Sequence, residues 1–194
     1  MTSKAFMMVL NPPAESPWLD LKQDRNRYRA EGRNVWWAEG FWILVVYRCG
    51  RKACLIQNRW ARLCLMLPLL MIRKFMGIWL GITIPFSVRM GGGMFLPHCG
   101  GIVIHDDSVI GRQCAIYQGV TLGAKGSKHG APQLGDRVNV GAGAVILGRV
   151  DVGDDVDIGA NAVVLKDVPA HSIAVGVPAQ AKSKANPESG RIFA

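Results

Sequence analysis

Residues 104–168 read IHDDSVIGRQCAIYQGVTLGAKGSKHGAPQLGDRVNVGAGAVILGRVDVGDDVDIGANAVVLKDV, and an aliphatic side chain returns at every sixth place. Ile104, Ile110, Ile116 and Leu122 keep the count; Leu134, Val140, Ile146, Val152, Ile158 and Val164 resume it after the slot at 128 is missed. Four places on stand small or β-branched residues: Ser108, Cys114, Val120, Val138, Ala144, Val150, Val156, Ala162 and Val168. Glycine directly follows the aliphatic residue at 111, 123, 135, 141, 153 and 159. A period of six fits neither the 3.6 of a helix nor the simple alternation of one amphipathic strand.

It fits a parallel β-helix, in which each six-residue unit forms one wall of a triangular prism and turns at a corner. The aliphatic residue then points inward onto its counterpart one coil away, the small residue fills the corner, and glycine tolerates backbone angles other residues resist. Ile84, Met90 and Leu96 carry the same period in a shifted frame, with a two-residue offset before Ile104. Residues 123–133, rich in Gly and Lys, lack the repeat and are expected to form a loop leaving the prism, on the substrate side.

Outside the repeat the chain changes character. Of 194 residues 49% are apolar, enough for a buried core, and the net charge is +9. That charge is concentrated: residues 1–75 hold thirteen Lys and Arg against five acids, residues 76–194 ten against nine. Residues 20–33 read as an exposed basic helix or loop with nothing catalytic in it. From Val35 to Phe86, Trp36, Trp37, Phe41, Trp42, Trp60 and Trp79 alternate with Arg48, Arg51, Lys52, Arg59, Arg62, Arg73 and Lys74, which suggests amphipathic helices with basic edges. They would cap the prism or rest on an anionic membrane surface. The longest apolar run, Leu63–Ile72, is closed by Arg73 and Lys74 well short of the roughly 20 residues that span a bilayer, so no crossing is expected.

Five cysteines without a CxxC pair argue against a disulfide framework or a thiolate metal site, and four scattered histidines against a three-histidine zinc centre. No metal is expected. The odd set of cysteines fits a reducing cytoplasm, no export signal is read at the N-terminus, and no nucleic-acid-binding motif accompanies the basic residues.

The ordered set Gly91-Gly-Gly-Met-Phe-Leu-Pro-His98-Cys-Gly-Gly-Ile-Val-Ile104, Tyr117-Gln-Gly-Val-Thr-Leu-Gly123, Val140-Gly-Ala-Gly-Ala144, Ile158-Gly-Ala-Asn-Ala162 and Gly176-Val-Pro-Ala179 resembles the serine acetyltransferase family over about residues 82–180. The upstream Phe41-Trp-Ile-Leu-Val-Val-Tyr-Arg48 is similar to the short members found with exopolysaccharide synthesis, the colanic-acid type included. The resemblance implies an all-β left-handed parallel β-helix over 82–180, preceded by an N-terminal α-helical segment (1–81) and followed by a tail (181–194). It implies a homotrimer using acetyl-CoA, with active sites between prisms. His98 would be the catalytic base that takes the acceptor's hydroxyl proton, chemistry suited to an imidazole titrating near working pH. Gly123, Ala142 and Ala160 would lie along the pantetheine arm, with Lys166, and Lys182 beside it, near the CoA phosphates. His105 and the loop's His129 are weaker candidates for the base.

Four family positions depart from the pattern. The carboxylate that orients the base falls on Thr83, the serine-binding Asp on Pro97, and the Arg-His pair of the loop on Gly130 and Ala131. Sites built to pair with charged substrate groups discriminate strongly, so their loss points to a glycan or sugar hydroxyl as acceptor, with exopolysaccharide or capsule synthesis as the setting. Serine O-acetylation and a non-catalytic repeat scaffold remain the alternatives.

Overall fold

A computed structural model describes residues 16–126 and 130–184. Helices α1 (Pro17–Ala30), α2 (Glu39–Cys54) and α3 (Arg59–Leu80) precede a prism of three sheets. Its first wall stacks β1 (Arg89–Met90), β3 (Val109–Ile110), β6 (Gln133–Leu134) and β9 (Asp151–Val152). The second stacks β4 (Ala115–Ile116), β7 (Asn139–Val140), β10 (Asp157–Ile158), β12 (Ser172–Gly176) and β13 (Ala179–Ser183). The third stacks β2 (Val103–Ile104), β5 (Thr121–Gly123), β8 (Val145–Leu147) and β11 (Val163–Val164). All pairings are parallel except that of β12 with β13.

The six-residue period becomes three internal columns: Met90-Ile110-Leu134-Val152, Ile116-Val140-Ile158-Ala174 and Ile104-Leu122-Ile146-Val164. Every member is buried, as are all nine corner residues from Ser108 to Val168. A fully buried aliphatic side chain contributes roughly 1.5–3 kcal/mol, so a one-residue slip, which would turn a whole column outward, is strongly disfavoured.

Coil length locates the irregularities. Leu134 lies 18 residues before its partner Val152, whereas Met90 lies 20 before Ile110 and Ile110 lies 24 before Leu134. The two extra residues fall in the corner 97–101, which carries His98; the six extra residues form the loop after Gly123, of which 127–129, His129 included, lie outside the described residues.

The glycines after the aliphatic positions serve space rather than backbone angle, contrary to expectation. None of 111, 123, 135, 141, 153 or 159 has positive φ. A Cβ on Gly141 would come within 2.7 Å of the Ala160 amide nitrogen, and one on Gly153 would meet Ala170. Left-handed backbone sits two places later, in columns Gln113-Arg137-Asp155 (φ 57°, 56°, 55°) and Gly119-Gly143-Asn161 (φ 73°, 70°, 56°). Coils stacked in register must turn by the same angles, so this conformation recurs even where the residue is not glycine.

The first coil has no preceding coil, and its edge would expose unpaired backbone groups. Helices α1 and α2 satisfy them. The Tyr47 hydroxyl donates to Val88 O (2.7 Å), Arg48 to Met90 O (2.7 Å) and Gly91 O (2.5 Å), and Arg51 to Phe86 O (3.2 Å). Asp24 accepts the Met94 amide (2.8 Å) and pairs with Arg48 Nε (2.9 Å) and Nη2 (3.2 Å). Residues 20–33 are helical to Ala30 and keep Lys22, Arg25, Arg29 and Arg33 exposed, as expected, but the opposite face is part of the cap, with Asp24 and Tyr28 fully buried.

Helix α3 differs. It runs 22 residues straight through Arg73 and Lys74, opens on an Asn58 side-chain cap and ends on left-handed Gly81 (φ 65°). The ten-residue limit read from the sequence is therefore too short: by length and composition alone α3 could cross a membrane. At the far end of the prism, β13 turns back on β12 across the boundary expected at 180.

Candidate active site

His98 projects from the corner where the second wall passes into the third. Leu96 is clasped just before it: the buried Tyr28 hydroxyl donates to Leu96 O and accepts from Leu96 N, both at 3.0 Å. Beyond it, Gly101 N donates to Leu80 O at the end of α3 (3.1 Å). The helical cap therefore holds both sides of the corner, while the imidazole itself is exposed. Among the described residues none hydrogen-bonds that imidazole, and Thr83 is engaged through its backbone in the wall, bridging Val103.

The same edge of the prism carries Ala142 and Ala160. Down it run Gly119 N to Gly100 O, Gly143 N to Gln118 O and Asn161 N to Ala142 O, each 2.8 Å. Ala142 is two coils from His98, about 10 Å at the spacing of neighbouring strands, and Ala160 one coil further. Because Gly101, Gly119, Gly143 and the two alanines form this edge, an extended chain can approach the backbone along it.

Gly123 and Lys166 are placed elsewhere. Gly148 N donates to Gly123 O (2.9 Å), and Lys166 follows β11 on this same edge, between the third and first walls. Lys182 lies on β13, opposite Ile173 in the second wall. The five predicted site residues thus divide between the two edges of the third wall: His98, Ala142 and Ala160 on one, Gly123 and Lys166 on the other.

A cavity of about 340 Å³ opens beside His98. Pro97 and Cys99 line it with His98, and facing them are Arg33, Asn34, Trp37 and Glu39 from the helical segment. Sequence reasoning missed these four because only the tertiary fold brings them to the histidine, and they interrupt no periodicity. Burial, with the Glu39 carboxylate adding to it, pushes the Cys99 thiol up to about 11, so this neighbour of His98 stays protonated and unreactive near neutral pH.

A larger cavity, about 440 Å³, lies against the first wall, but Asp136, Asp151, Asp154 and Asp167 line it and it contains no histidine. Its carboxylates would repel CoA phosphates. His105, Asp106 and Asp107 come within 4.8 Å of one another, yet both acids are exposed and His105 Nδ1 already accepts the Asp107 amide (3.2 Å). This is a local turn, and His105 sits on the third wall after β2, away from the cavity.

The family described as "Bacterial transferase hexapeptide (six repeats)" matches residues 131–166. Serine acetyltransferase of Mycobacterium tuberculosis is 42% identical over 122 residues, 62% of this chain and 53% of that one. A solved serine acetyltransferase in complex with CoA superposes with TM-score 0.71 at 28% identity, covering 92% of this chain and 75% of that chain. The soybean serine acetyltransferase apoenzyme gives TM-score 0.67 at 32% identity, covering 92% and 72%. The chain spans about half the length of the curated relatives it matches. These likenesses point to serine acetyltransferases rather than to the exopolysaccharide-associated enzymes, and with the parallel walls they imply a left-handed β-helix carrying N-terminal helices. The chain belongs to the hexapeptide-repeat transferases and is serine acetyltransferase-like.

Proposed function

We propose that this protein is an acetyl-CoA-dependent O-acetyltransferase with His98 as its general base and L-serine as the acceptor the comparisons favour. The observation that carries the reading is the alignment of His98, Ala142 and Ala160 on one small-residue edge, with a cavity for an acceptor at its His98 end. The pantetheine arm would follow that edge, and Lys166, an edge away, would meet a phosphate if the arm crosses the third wall. His98 takes the proton from the acceptor hydroxyl as that oxygen attacks the thioester carbonyl. The C–S bond then breaks, and the imidazolium returns the proton to the leaving thiolate.

Arg33 and Glu39 support a zwitterionic acceptor. A guanidinium suits a carboxylate and a carboxylate suits an ammonium, and together they offer the complementary charges missing at Pro97, Gly130 and Ala131. A charge-assisted hydrogen bond contributes about 1.5–3 kcal/mol, so Arg33→Ala and Glu39→Gln should each raise KM for serine about tenfold or more, with kcat less affected. Steady-state kinetics with serine varied at fixed acetyl-CoA checks this; unchanged KM in both variants would remove the two residues from acceptor binding.

A sugar hydroxyl is the second reading, favoured by the same three lost groups. Parallel assays with L-serine and a panel of sugars, reading free thiol release, separate the two. Saturable transfer to serine supports the first reading, and transfer confined to sugars the second.

A homotrimer is part of the proposal, because one exposed prism edge does not enclose a thioester. Light scattering at micromolar concentration should give about three times the 21.1 kDa chain mass. A fully active monomer would contradict it.

A further inference from the structure

We infer that α3 is a membrane-docking helix that lies in the surface of an anionic bilayer. Its inward stripe is narrow: Leu69 is buried and Met66, Arg73 and Met76 are half-buried. Around the rest of the helix large apolar side chains face solvent, among them Trp60 (66% exposed), Met71 (72%), Phe75 (60%), Ile78 (70%) and Trp79 (72%). A patch on this scale on one helix marks an interaction surface.

Charge selects the partner. The helix contains Arg59, Arg62, Arg73 and Lys74 and no acid. With a tryptophan near each end and cations among the apolar residues, it has the composition of an interfacial helix, and its exposed cations Arg59, Arg62 and Lys74 complement anionic headgroups rather than a neutral apolar protein face.

Topology decides between lying on the bilayer and crossing it. A helix of 22 residues is about 33 Å long, enough to span. Its C-terminal half is nevertheless held against the body: Arg73 stacks over Phe86 (5.4 Å), and Arg73 and Met76 face Ile43, Tyr47 and Ile84. Gly81 then leads directly into the first coil, whose Val88 and Met90 carbonyls are bonded by Tyr47 and Arg48 of α2. Helix α2 before α3 and the first coil after it belong to one packed unit, so α3 rests beside that unit and does not thread the bilayer. Since Leu80 O holds Gly101, docking would bring the His98 corner close to the membrane surface.

Flotation of the full-length protein with vesicles tests this. Wild type should float with phosphatidylglycerol-containing vesicles at low salt and remain at the bottom with pure phosphatidylcholine. Arg59→Gln/Arg62→Gln should weaken binding roughly 30-fold, from ~1 kcal/mol per basic residue near such a surface. Leu67→Glu/Met71→Glu should abolish it, while thiol release in solution without vesicles stays at the wild-type rate for both variants. No flotation of wild type at low salt would overturn the inference. So would conversion of an oligomer to monomer by Leu67→Glu/Met71→Glu, which would make the face a subunit contact. The Arg59/Arg62 variant alters only exposed positions, so an effect on lipid binding can be read from it even if the acidic variant misfolds.

Discussion

His98→Ala will lower acetyl transfer by about 10²-fold or more while CoA still binds. A positioned general base contributes roughly 10²–10⁴-fold, and the lower figure corresponds to about 3 kcal/mol of barrier. Cofactor binding should hardly change, because the proposed pantetheine path at Ala142 and Ala160 lies two and three coils from the imidazole. Single-turnover transfer rates set beside a CoA titration separate the effects. Near-normal transfer by the variant would move the base to His105 or to the loop's His129. Loss of CoA binding together with transfer would show instead that the corner had collapsed.

The second large effect lies in the cap. Arg48→Met should cost about 3–5 kcal/mol of stability, the usual consequence of removing one partner of a buried ion pair. It leaves the Asp24 carboxyl without its cation and the Met90 and Gly91 carbonyls without a donor. Burial already pushes Asp24 up from 3.8, opposed by Arg48 and by the Met94 and Gly93 amides; removing Arg48 pushes it further. A carboxyl raised in the folded state favours folding below its unfolded pKa and loses that advantage as pH rises through the folded value. The deficit of the variant should therefore be smallest near pH 4 and grow toward neutrality. Thermal unfolding at several pH values and one protein concentration measures it, and a pH-independent deficit would point to lost packing alone.

Much of this was readable from the text of the chain. The period of Ile104, Ile110 and Ile116 corresponds to three internal columns, and the break after Leu122 marks the loop. Less legible was the role of glycine. Gly141 and Gly153 keep a Cβ out of the next coil, whereas the left-handed angle falls at Gln113, Arg137 and Asp155, residues whose identity does not advertise it. The sequence offers the candidate cofactor residues one by one, but that His98, Ala142 and Ala160 share an edge while Gly123 and Lys166 occupy another depends on the number of residues per turn of the coil. Two extra residues at 97–101 set that phase for His98.

The sequence by itself determined the repeat and the prism, because aliphatic residues at every sixth position are buried together when each coil stacks on the last; it offered His98 only as a candidate. Tertiary structure decided what surrounds them. Arg33, Asn34, Trp37 and Glu39 reach the His98 cavity, and Asp24, Tyr28 and Arg48 close the first coil, through contacts across 40 to 70 residues of chain that follow no local period. It also decided that α3 keeps its apolar faces in solvent: hydropathy states what a segment prefers to bury, and only the packed neighbours show whether it has done so.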